Sequence, residues 1–343
     1  MNKISYKTDT IKITIIMLFL FLLSFNAFSV SYTQGDFTYN IVNINRATLH
    51  SATCPSSEKE LNIPDSVIYQ NTNYPVTQIY QECFKDCANW VGSVNIPLTI
   101  TSIGKSSFEN GVGLNGELHL HDRISIIGAG AFSGCSNLKF PNQDIISLPP
   151  ITTINEYLFN GCSSLSANTF QLPPAITRIN QYAFNQCSSL KGSLIIPDTV
   201  TQINANAFAG CSGFTSLRLP RSIATIGILA FNGCSGFKGD LIVATTGRLS
   251  IGQSAFDGCT GLDGEVTIYC TPNSIGNNAF SNLPNIKRIN YYGSSFSNSG
   301  INVFEGSATN NIEFCSVFDN ETFFGIDKTG ATQMSDFSFN YDS

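Results

Sequence analysis

The residues that could do chemistry in this sequence are cysteines that recur at one fixed place. Seven of its 11 cysteines follow a phenylalanine at the spacing Phe-x-x-Cys. They are Cys87, Cys135, Cys162, Cys187, Cys211, Cys234 and Cys259. A cysteine can be a nucleophile, a metal ligand, half of a disulfide or a small buried apolar residue. Which of these applies depends on the elements that hold the seven cysteines in place.

The phenylalanines of these tetrapeptides belong to a repeat of about 24 residues. Ten units carry one in the same register: Phe84, Phe108, Phe132, Phe159, Phe184, Phe208, Phe231, Phe256, Phe280 and Phe304. An isoleucine lies five residues earlier in nine of these units, as Ile179 and Ile203 do. Self-similarity of this length predicts a solenoid, because a single unit is too small to bury its apolar side and must stack on its neighbours.

Each unit is predicted to contain two short strands and one compact turn. The segments VNIP at 94–97 and LRLP at 217–220 alternate apolar and polar residues, which is typical of a strand with one buried face. We call this the first strand of a unit. A shorter alternation, such as ITRI at 176–179, predicts a second strand. The segment SAFDGCTGL at 254–262 lacks this alternation, and the spacing of its apolar residues predicts a helical or 3₁₀ turn.

The full pattern runs apolar-x-Ile-Pro, then Val/Ile-Thr-x-Ile-Gly/Asn, then Ala-Phe-x-Gly-Cys-x-x-Leu. It resembles the BspA-like class of leucine-rich repeat proteins over about residues 61–310. The resemblance implies a right-handed leucine-rich repeat solenoid of the α/β type, with short strands and short helical or 3₁₀ turns. It also implies export to a microbial cell surface and a role in adhesion or in binding matrix proteins.

The N-terminus is predicted to be a secretory signal. Three lysines in the first 12 residues precede an unbroken apolar run at 15–23, and the small residues Ala27 and Ser29 follow. This order is typical of a cleaved signal peptide, with an uncleaved membrane anchor and a buried helix as the alternatives. We therefore expect a secreted or cell-surface protein that meets a membrane only through an uncleaved N-terminal segment, if at all. The predicted regions are a signal peptide at 1–29, an N-terminal cap at 30–60, a solenoid at 61–310, and a C-terminal cap and tail at 311–343.

In a solenoid the seven repeated cysteines form a column of equivalent side chains about 4.8 Å apart. A metal site needs ligands that converge, and a disulfide network would not tolerate the units in which another residue replaces the cysteine. We therefore predict that the seven are buried core residues. Four cysteines lie outside the column. Cys54 with Cys83, and Cys270 with Cys315, are candidate disulfide pairs that the sequence leaves open.

The sequence predicts no enzyme activity and no catalytic, cofactor-binding or metal site. His119 and His121 lie two residues apart on one strand, but no third ligand accompanies them, so we interpret them as solvated. The segment GVGLNG at 111–116 leads into a strand instead of opening a helix, which excludes a dinucleotide site. Charged residues make up only 12% and the net charge is −6. We therefore expect no binding of nucleic acid, which requires a basic surface.

The candidate functional surface is the outward face of the strands, because alternation leaves one outward residue on each first strand. In chain order these residues are Asn62, Asn95, His119, Ser147, Gln171, Ile195, Arg218, Ile242, Thr267, Asn290 and Glu313. The second strands add others, among them Arg178 and Gln202. The predicted partner-binding face consists of Gln171, Ile195, Arg218, Ile242, Arg178 and Gln202. Ile195, Arg218 and Ile242 form its centre, since exposed apolar residues beside an arginine are typical of the middle of an interface.

A long surface of this kind suits an extended partner better than a small molecule. The expected partner is a host or matrix protein, or a glycan. The sequence therefore predicts adhesion or recognition at the cell surface or outside the cell. The alternative is a structural or inhibitory surface scaffold that has no specific ligand.

Overall fold

The computed structural model describes residues 29–42, 45–141, 146–293, 300–308, 312–315, 322–323, 326–327 and 332–334. The predicted signal peptide falls outside this part of the chain except for Ser29, so it stays a prediction. Every regular element in the described residues is a strand. The described residues contain no helix that could span a lipid bilayer.

The strands are short after the N-terminal region. The first six are β1 Ser29–Gln34, β2 Phe37–Val42, β3 Arg46–Ala52, β4 Lys59–Glu60, β5 Ser66–Tyr69 and β6 Thr72–Ile79. The next eleven are β7 Trp90–Val91, β8 Val94–Asn95, β9 Ser102–Ile103, β10 Leu118–His119, β11 Ile126–Ile127, β12 Ile146–Ser147, β13 Thr153–Ile154, β14 Phe170–Gln171, β15 Arg178–Ile179, β16 Gly192–Ile195 and β17 Gln202–Ile203. The last eleven are β18 Phe214–Arg218, β19 Thr225–Ile226, β20 Leu241–Val243, β21 Ser250–Ile251, β22 Glu265–Ile268, β23 Ser274–Ile275, β24 Arg288–Tyr291, β25 Ile312–Cys315, β26 Thr322–Phe323, β27 Ile326–Asp327 and β28 Thr332–Met334.

Parallel pairing of equivalent strands stacks the units into a solenoid, as predicted. The second strands β13, β15, β17, β19, β21 and β23 form one sheet in chain order. Its register places Ile179 opposite both Ile154 and Ile203, so equivalent isoleucines of successive coils lie side by side. First strands pair in the same way, most extensively in the sheet β20-β22-β24-β25-β28. Because each side chain lies beside its equivalent in the next coil, one repeat pattern builds a continuous core.

The segment around each phenylalanine forms a series of hydrogen-bonded turns instead of the predicted helical or 3₁₀ turn. The residues two before and two after the phenylalanine have positive φ, as Tyr157 (55°) and Gly161 (75°) have around Phe159. This alternation directs N–H groups toward the next coil. Phe159 donates to the carbonyl of Ala183 at 2.8 Å, and Gly161 donates to that of Asn185 at 2.8 Å. The residues that follow Phe159 and Gly161 donate within the segment, to the carbonyls of Tyr157 and Phe159, so single turns alternate with bonds between coils and no continuous helix forms.

Ten stacked phenylalanines form the axis of the core. Successive rings from Phe84 to Phe304 have centroids 4.9 to 5.7 Å apart and lie within 21° of parallel. All ten are buried, and the residue before the ring is a buried alanine in most units. An offset stack of this kind adds to the stability that burial of each ring gives.

The N-terminal end of the solenoid is closed by antiparallel strands. Strands β1, β2 and β3 pair in order, and β3 continues into the parallel sheet through β6. Before Phe84 the chain forms the hairpin β5–β6, whose turn residues Gln70 and Asn71 have positive φ. Phe37 of β2 stacks on Trp90 with centroids 5.7 Å apart. This end of the core is therefore covered by aromatic residues of the strands that precede it.

At the C-terminal end the parallel sheet continues through β25 and β28. Strands β26 and β27 pair with each other in antiparallel orientation. The boundaries at residues 60 and 310 that the sequence suggested for the two caps stay predictions.

Candidate partner-binding face and the cysteine column

The predicted partner-binding face is divided between the first strands and the second strands of the units. Gln171, Ile195, Arg218 and Ile242 lie on the consecutive first strands β14, β16, β18 and β20. Ile195 lies directly opposite Arg218 in the register of β16 and β18. Arg178 and Gln202 are also direct partners, but on the second strands β15 and β17. The structure thus brings the six residues together as one row of four and one separate pair.

Three residues of that row, Ile195, Arg218 and Ile242, form what we call the Ile195 patch. The two isoleucines are 53% and 44% exposed, although their neighbours Leu194 and Leu241 are buried. Arg218 is exposed and makes an ion pair of 3.4 Å with Asp198, which is itself exposed. An ion pair in solvent contributes little to stability, so Arg218 stays available to a partner.

A shallow depression of 670 Å³ adjoins this patch. Arg218 and Ile242 line it together with Asp198 and Asp240. Sequence reasoning missed the two aspartates, because they lie in loops beside the strands and alternation within a strand gives no signal for them. The depression combines apolar surface with charges of both signs, which is the composition of a recognition surface.

The outward row of first-strand residues ends at Ile242 among the described residues. Thr267 and Asn290, which alternation predicted to be exposed, are each only 5% exposed, so this part of the prediction is wrong. The Asn290 amide donates to Glu265 Oε2 at 2.7 Å and to Thr267 Oγ1 at 3.1 Å. A buried polar group needs hydrogen-bond partners, and these two bonds supply them for the amide nitrogen of Asn290. The side chains of Ser147 and Glu313, also predicted to point outward, lie outside the described part of the chain.

All seven repeated cysteines are buried core residues, as predicted. In six of them the thiol donates a hydrogen bond of 3.0 to 3.2 Å to the carbonyl of the phenylalanine one coil earlier. Cys187, for example, donates to Phe159 at 3.1 Å. Ser307 holds the same place in the last unit, and its hydroxyl donates to Phe280 at 2.7 Å. The cysteine therefore binds one coil to the next while it fills core volume.

Burial also removes the reactivity of these thiols. Desolvation raises the pKa of Cys135 and of Cys259 to about 12, and it raises the pKa of Cys187 well above the ordinary value. A thiolate is the form that attacks electrophiles and binds metals. With the pKa so high, the column is not chemically active at neutral pH.

The seventh repeated cysteine, Cys87, forms a disulfide with Cys54. The candidate pairing of Cys54 with Cys83 is therefore wrong. Cys87 is buried, as predicted, but it is half of a disulfide and not a free thiol. Cys83 is free and buried, at the place where most units have the alanine before phenylalanine. Cys87 belongs to the first phenylalanine unit, so no phenylalanine carbonyl of an earlier coil can accept its thiol. Cys54 of the N-terminal region bonds to it instead.

Cys270 has a free thiol, so the candidate pair with Cys315 is not formed. Its burial raises the pKa of this thiol to about 11. The side chain of Cys315 lies outside the described residues.

The two histidines have protein partners. His119 Nε2 lies 3.1 Å from Glu117 Oε2, and His121 Nε2 lies 2.9 Å from the carbonyl of Pro97. In the described ranges, no three His, Cys, Asp or Glu side chains come close enough to hold a metal ion.

Comparison with known proteins assigns the family. A family model described as "BspA type Leucine rich repeat region" matches residues 63–191, 152–246 and 240–338, with six copies. The chain belongs to this family. The matches of the BspA-type model span the stacked coils from β5 to β28, so family pattern and observed coils coincide. A sequence comparison with curated proteins gave no match.

Several solved leucine-rich repeat structures are similar to this BspA-type chain. A leucine-rich cell surface protein from Faecalibacterium prausnitzii A2-165 is 22% identical, with a TM-score of 0.47, and the match covers 83% of this chain and 94% of that one. A leucine-rich repeat protein from Bacteroides ovatus is 20% identical, with a TM-score of 0.46 and coverage of 89% and 100%. The pneumococcal vaccine antigen PcpA is 18% identical, with a TM-score of 0.32 and coverage of 83% and 87%. These similarities concern the repeat fold alone.

Proposed function

We propose that this BspA-type protein is a non-enzymatic recognition or adhesion protein, secreted or held at the cell surface, that binds an extended partner through its first-strand face. The observation that carries the proposal is the Ile195 patch. It places two exposed isoleucines on either side of an exposed arginine in consecutive coils. Arginine is among the residue types that contribute most to binding at protein interfaces, and a group of exposed apolar side chains is typical of an interaction site. A protein partner therefore fits this patch better than a sugar does.

Two further features support a location outside the cytoplasm. The Cys54–Cys87 disulfide is stable in an oxidising compartment and rare in a reducing one. The basic and then apolar N-terminal segment has the order of a secretory signal. Both agree with export, which adhesion requires.

The test is binding of the mature chain to a panel of immobilised matrix proteins, including fibronectin, fibrinogen, laminin and collagen. We expect the triple variant Ile195→Asp, Arg218→Asp, Ile242→Asp to lose binding to any protein of the panel that the unchanged chain binds. Its circular dichroism and unfolding midpoint should not change, because all three side chains are exposed.

A matched control places Asp at three exposed apolar positions elsewhere: Ile68, Leu98 and Ile301. This control variant should bind as the unchanged chain does. Loss of binding in the control set, with binding kept in the Ile195 patch variant, would contradict the assignment. A chain that binds nothing in the panel would instead favour a structural scaffold.

A further inference from the structure

A second depression lies on the surface formed by the turns that contain the phenylalanines, and not on the strands. It has a volume of 820 Å³ and extends over the coils of Phe84, Phe108, Phe132 and Phe159. We call it the Tyr157 groove. It shares no residue with the Ile195 patch or the depression beside it.

The groove exists because two coils have small residues at one repeated position. This position is two residues before the phenylalanine, and its occupants in chain order are Glu82, Ser106, Gly130, Tyr157, Tyr182, Asn206, Leu229, Ser254, Asn278 and Asn302. Ser106 and Gly130 leave a gap between the side chains of Glu82 and Tyr157. With coils about 4.8 Å apart, those two residues are separated by roughly 15 Å along the stack.

Tyr157 forms an aromatic wall at one end of this gap. Its ring stacks on Tyr182 with centroids 4.8 Å apart and planes within 7° of parallel. Tyr182 covers one face of the Tyr157 ring. The coil on the other side has Gly130 at the equivalent position, and glycine has no side chain, so the second ring face borders the groove. Tyr157 is 38% exposed.

The backbone at both tyrosines is unfavourable for side chains of this size. Tyr157 and Tyr182 have φ of 55° and 56°, in the left-handed region that suits glycine and asparagine. Gly130, Asn206 and Asn278 hold the same position in other coils with similar φ and without a bulky ring. Positive φ at this position belongs to the turn of every unit, so the tyrosines are unusual in residue type and not in backbone conformation. The Tyr157 ring is exposed and does not serve core packing.

The rest of the groove is polar and nearly balanced in charge. Two lysines, Lys85 and Lys105, face three glutamates, Glu82, Glu109 and Glu156, which leaves one net negative charge. Lys85 already pairs with Glu109 at 3.1 Å. Glu156 Oε2 accepts a hydrogen bond of 3.0 Å from the Gln181 amide.

We infer that the Tyr157 groove binds a neutral glycan, with one sugar ring stacked on the open face of Tyr157. The C–H face of a sugar ring packs on an aromatic ring, and its hydroxyls require both donors and acceptors around the edge. The groove offers both, from the lysines, the glutamates and Asn160. An anionic glycan is disfavoured by the net negative charge. This site is additional to the protein-binding face proposed above and does not depend on it.

The substitution Gly130→Asn tests the site by filling it. A Cβ at Gly130 would lie 3.3 Å from Ser106 Oγ, 3.9 Å from Ser133 Cβ and 4.0 Å from Tyr157 Cβ. The three nearest atoms all belong to side chains, and only the Ser106 hydroxyl has to move, by a few tenths of an ångström. Asn206, Asn278 and Asn302 show that asparagine adopts the required φ at this position. The second variant, Tyr157→Asn, removes the ring and keeps a residue that tolerates the same backbone.

The experiment is calorimetric titration of the mature chain with neutral probes: hexasaccharides of glucose in α-1,4 and β-1,4 linkage, of mannose and of N-acetylglucosamine. Sialyllactose and a heparin hexasaccharide are the anionic probes. We expect at least one neutral probe to bind with a Kd on the order of 1 mM or tighter. Gly130→Asn and Tyr157→Asn should each raise this Kd about tenfold or more. Leu229→Asn, at the same repeated position outside the groove, should leave the Kd unchanged.

The Ile195 patch variant should also bind the neutral probe normally, which separates this test from that of the proposed function. The inference is overturned if no neutral probe binds, if the anionic probes bind more tightly, or if neutral binding survives either Gly130→Asn or Tyr157→Asn. Loss of binding in Leu229→Asn would overturn it as well.

Discussion

At the scale of single residues, the repeated cysteine acts as a small core residue that also donates a hydrogen bond. Its thiol fills the space beside the phenylalanine stack and satisfies a carbonyl of the preceding coil. Ser307 performs the second task with a hydroxyl. Where cysteine is missing in the unit of Phe108, the end of the Leu114 side chain lies beside Gly111, 2.8 Å from the place a Cβ would take. Leu114 thus fills volume that a cysteine side chain fills in the other units.

Buried thiols make the fold sensitive to alkaline pH. Desolvation raises the pKa of the six column cysteines in the folded state, to about 12 for Cys135 and Cys259. In the unfolded chain they ionise near their ordinary value, about 8.5. Stability is therefore full below that value and falls as pH rises toward 12, because the unfolded state releases protons first. Each thiol should lower the free energy of unfolding by about 1.4 kcal/mol per pH unit within this window.

The measurement is the free energy of urea unfolding between pH 7.5 and 10.5. Cys187→Ala is the control, because it removes one titrating thiol from the column. At neutral pH this change should cost on the order of 1 kcal/mol through lost burial and a small void. The variant should also lose stability less steeply above pH 8.5, because it has one thiol fewer to ionise: the slope of its free energy of unfolding against pH should be smaller by about 1.4 kcal/mol per pH unit. An alkaline slope that is the same in both proteins would refute the role of the thiols.

At the scale of elements, the N-terminal strands are joined to the first coil both by packing and covalently. Phe37 stacks on Trp90, and Lys59 Nζ lies 5.9 Å from the centroid of the Trp90 ring. The Cys54–Cys87 disulfide closes a loop of 33 residues between this region and the first phenylalanine unit. These contacts cover the end of a core that would otherwise face water.

Loss of the disulfide should destabilise the protein. Closing a loop of this length lowers the entropy of the unfolded chain enough to contribute roughly 3 to 4 kcal/mol. Cys54→Ala should therefore lower the free energy of urea unfolding by that amount at pH 7. Reductant should destabilise the unchanged chain to a similar level and leave Cys54→Ala unaffected.

Peptide mapping under non-reducing conditions gives an independent check of the pairing. We expect a single linked peptide pair containing Cys54 and Cys87. A pair containing Cys83, or cross-links among the column cysteines, would show that the pairing is different.

At the scale of the whole molecule, stacking makes the energetics nearly one-dimensional. Each phenylalanine ring touches its equivalents one coil away, and more distant coils have no direct contact through this stack. Interactions should therefore couple neighbours and leave distant coils independent.

A pair of double-mutant cycles tests this. Phe184→Leu and Phe208→Leu affect rings 5.2 Å apart, and their effects on unfolding free energy should couple by about 0.5 to 1.5 kcal/mol. Phe132→Leu and Phe256→Leu lie five coils apart and should add within about 0.5 kcal/mol. Equal coupling in both cycles would show that the solenoid core is not built from nearest-neighbour contacts.

Much of this architecture could be predicted from the sequence because the repeat fixes the register. Once ten phenylalanines recur with isoleucines five residues earlier, alternation within each strand gives the buried side chains, and stacking follows from the small size of a unit. The burial of the seven repeated cysteines, the exposure of Ile195 and Ile242, and the solenoid itself were predicted on this basis and are confirmed.

The tertiary structure decided what depends on contacts between units. The turn segment has apolar spacing that a helix would share, and only hydrogen bonding to the next coil, with positive φ at Tyr157 and Gly161, makes it a chain of turns. The pairing of Cys87 with Cys54 follows from the position of Cys87 in the first phenylalanine unit. The gap over Gly130 becomes a groove only because Tyr157 lies in the next coil. Strand alternation and repeat period describe one coil at a time, whereas these features are set by the side chains that adjacent coils bring together.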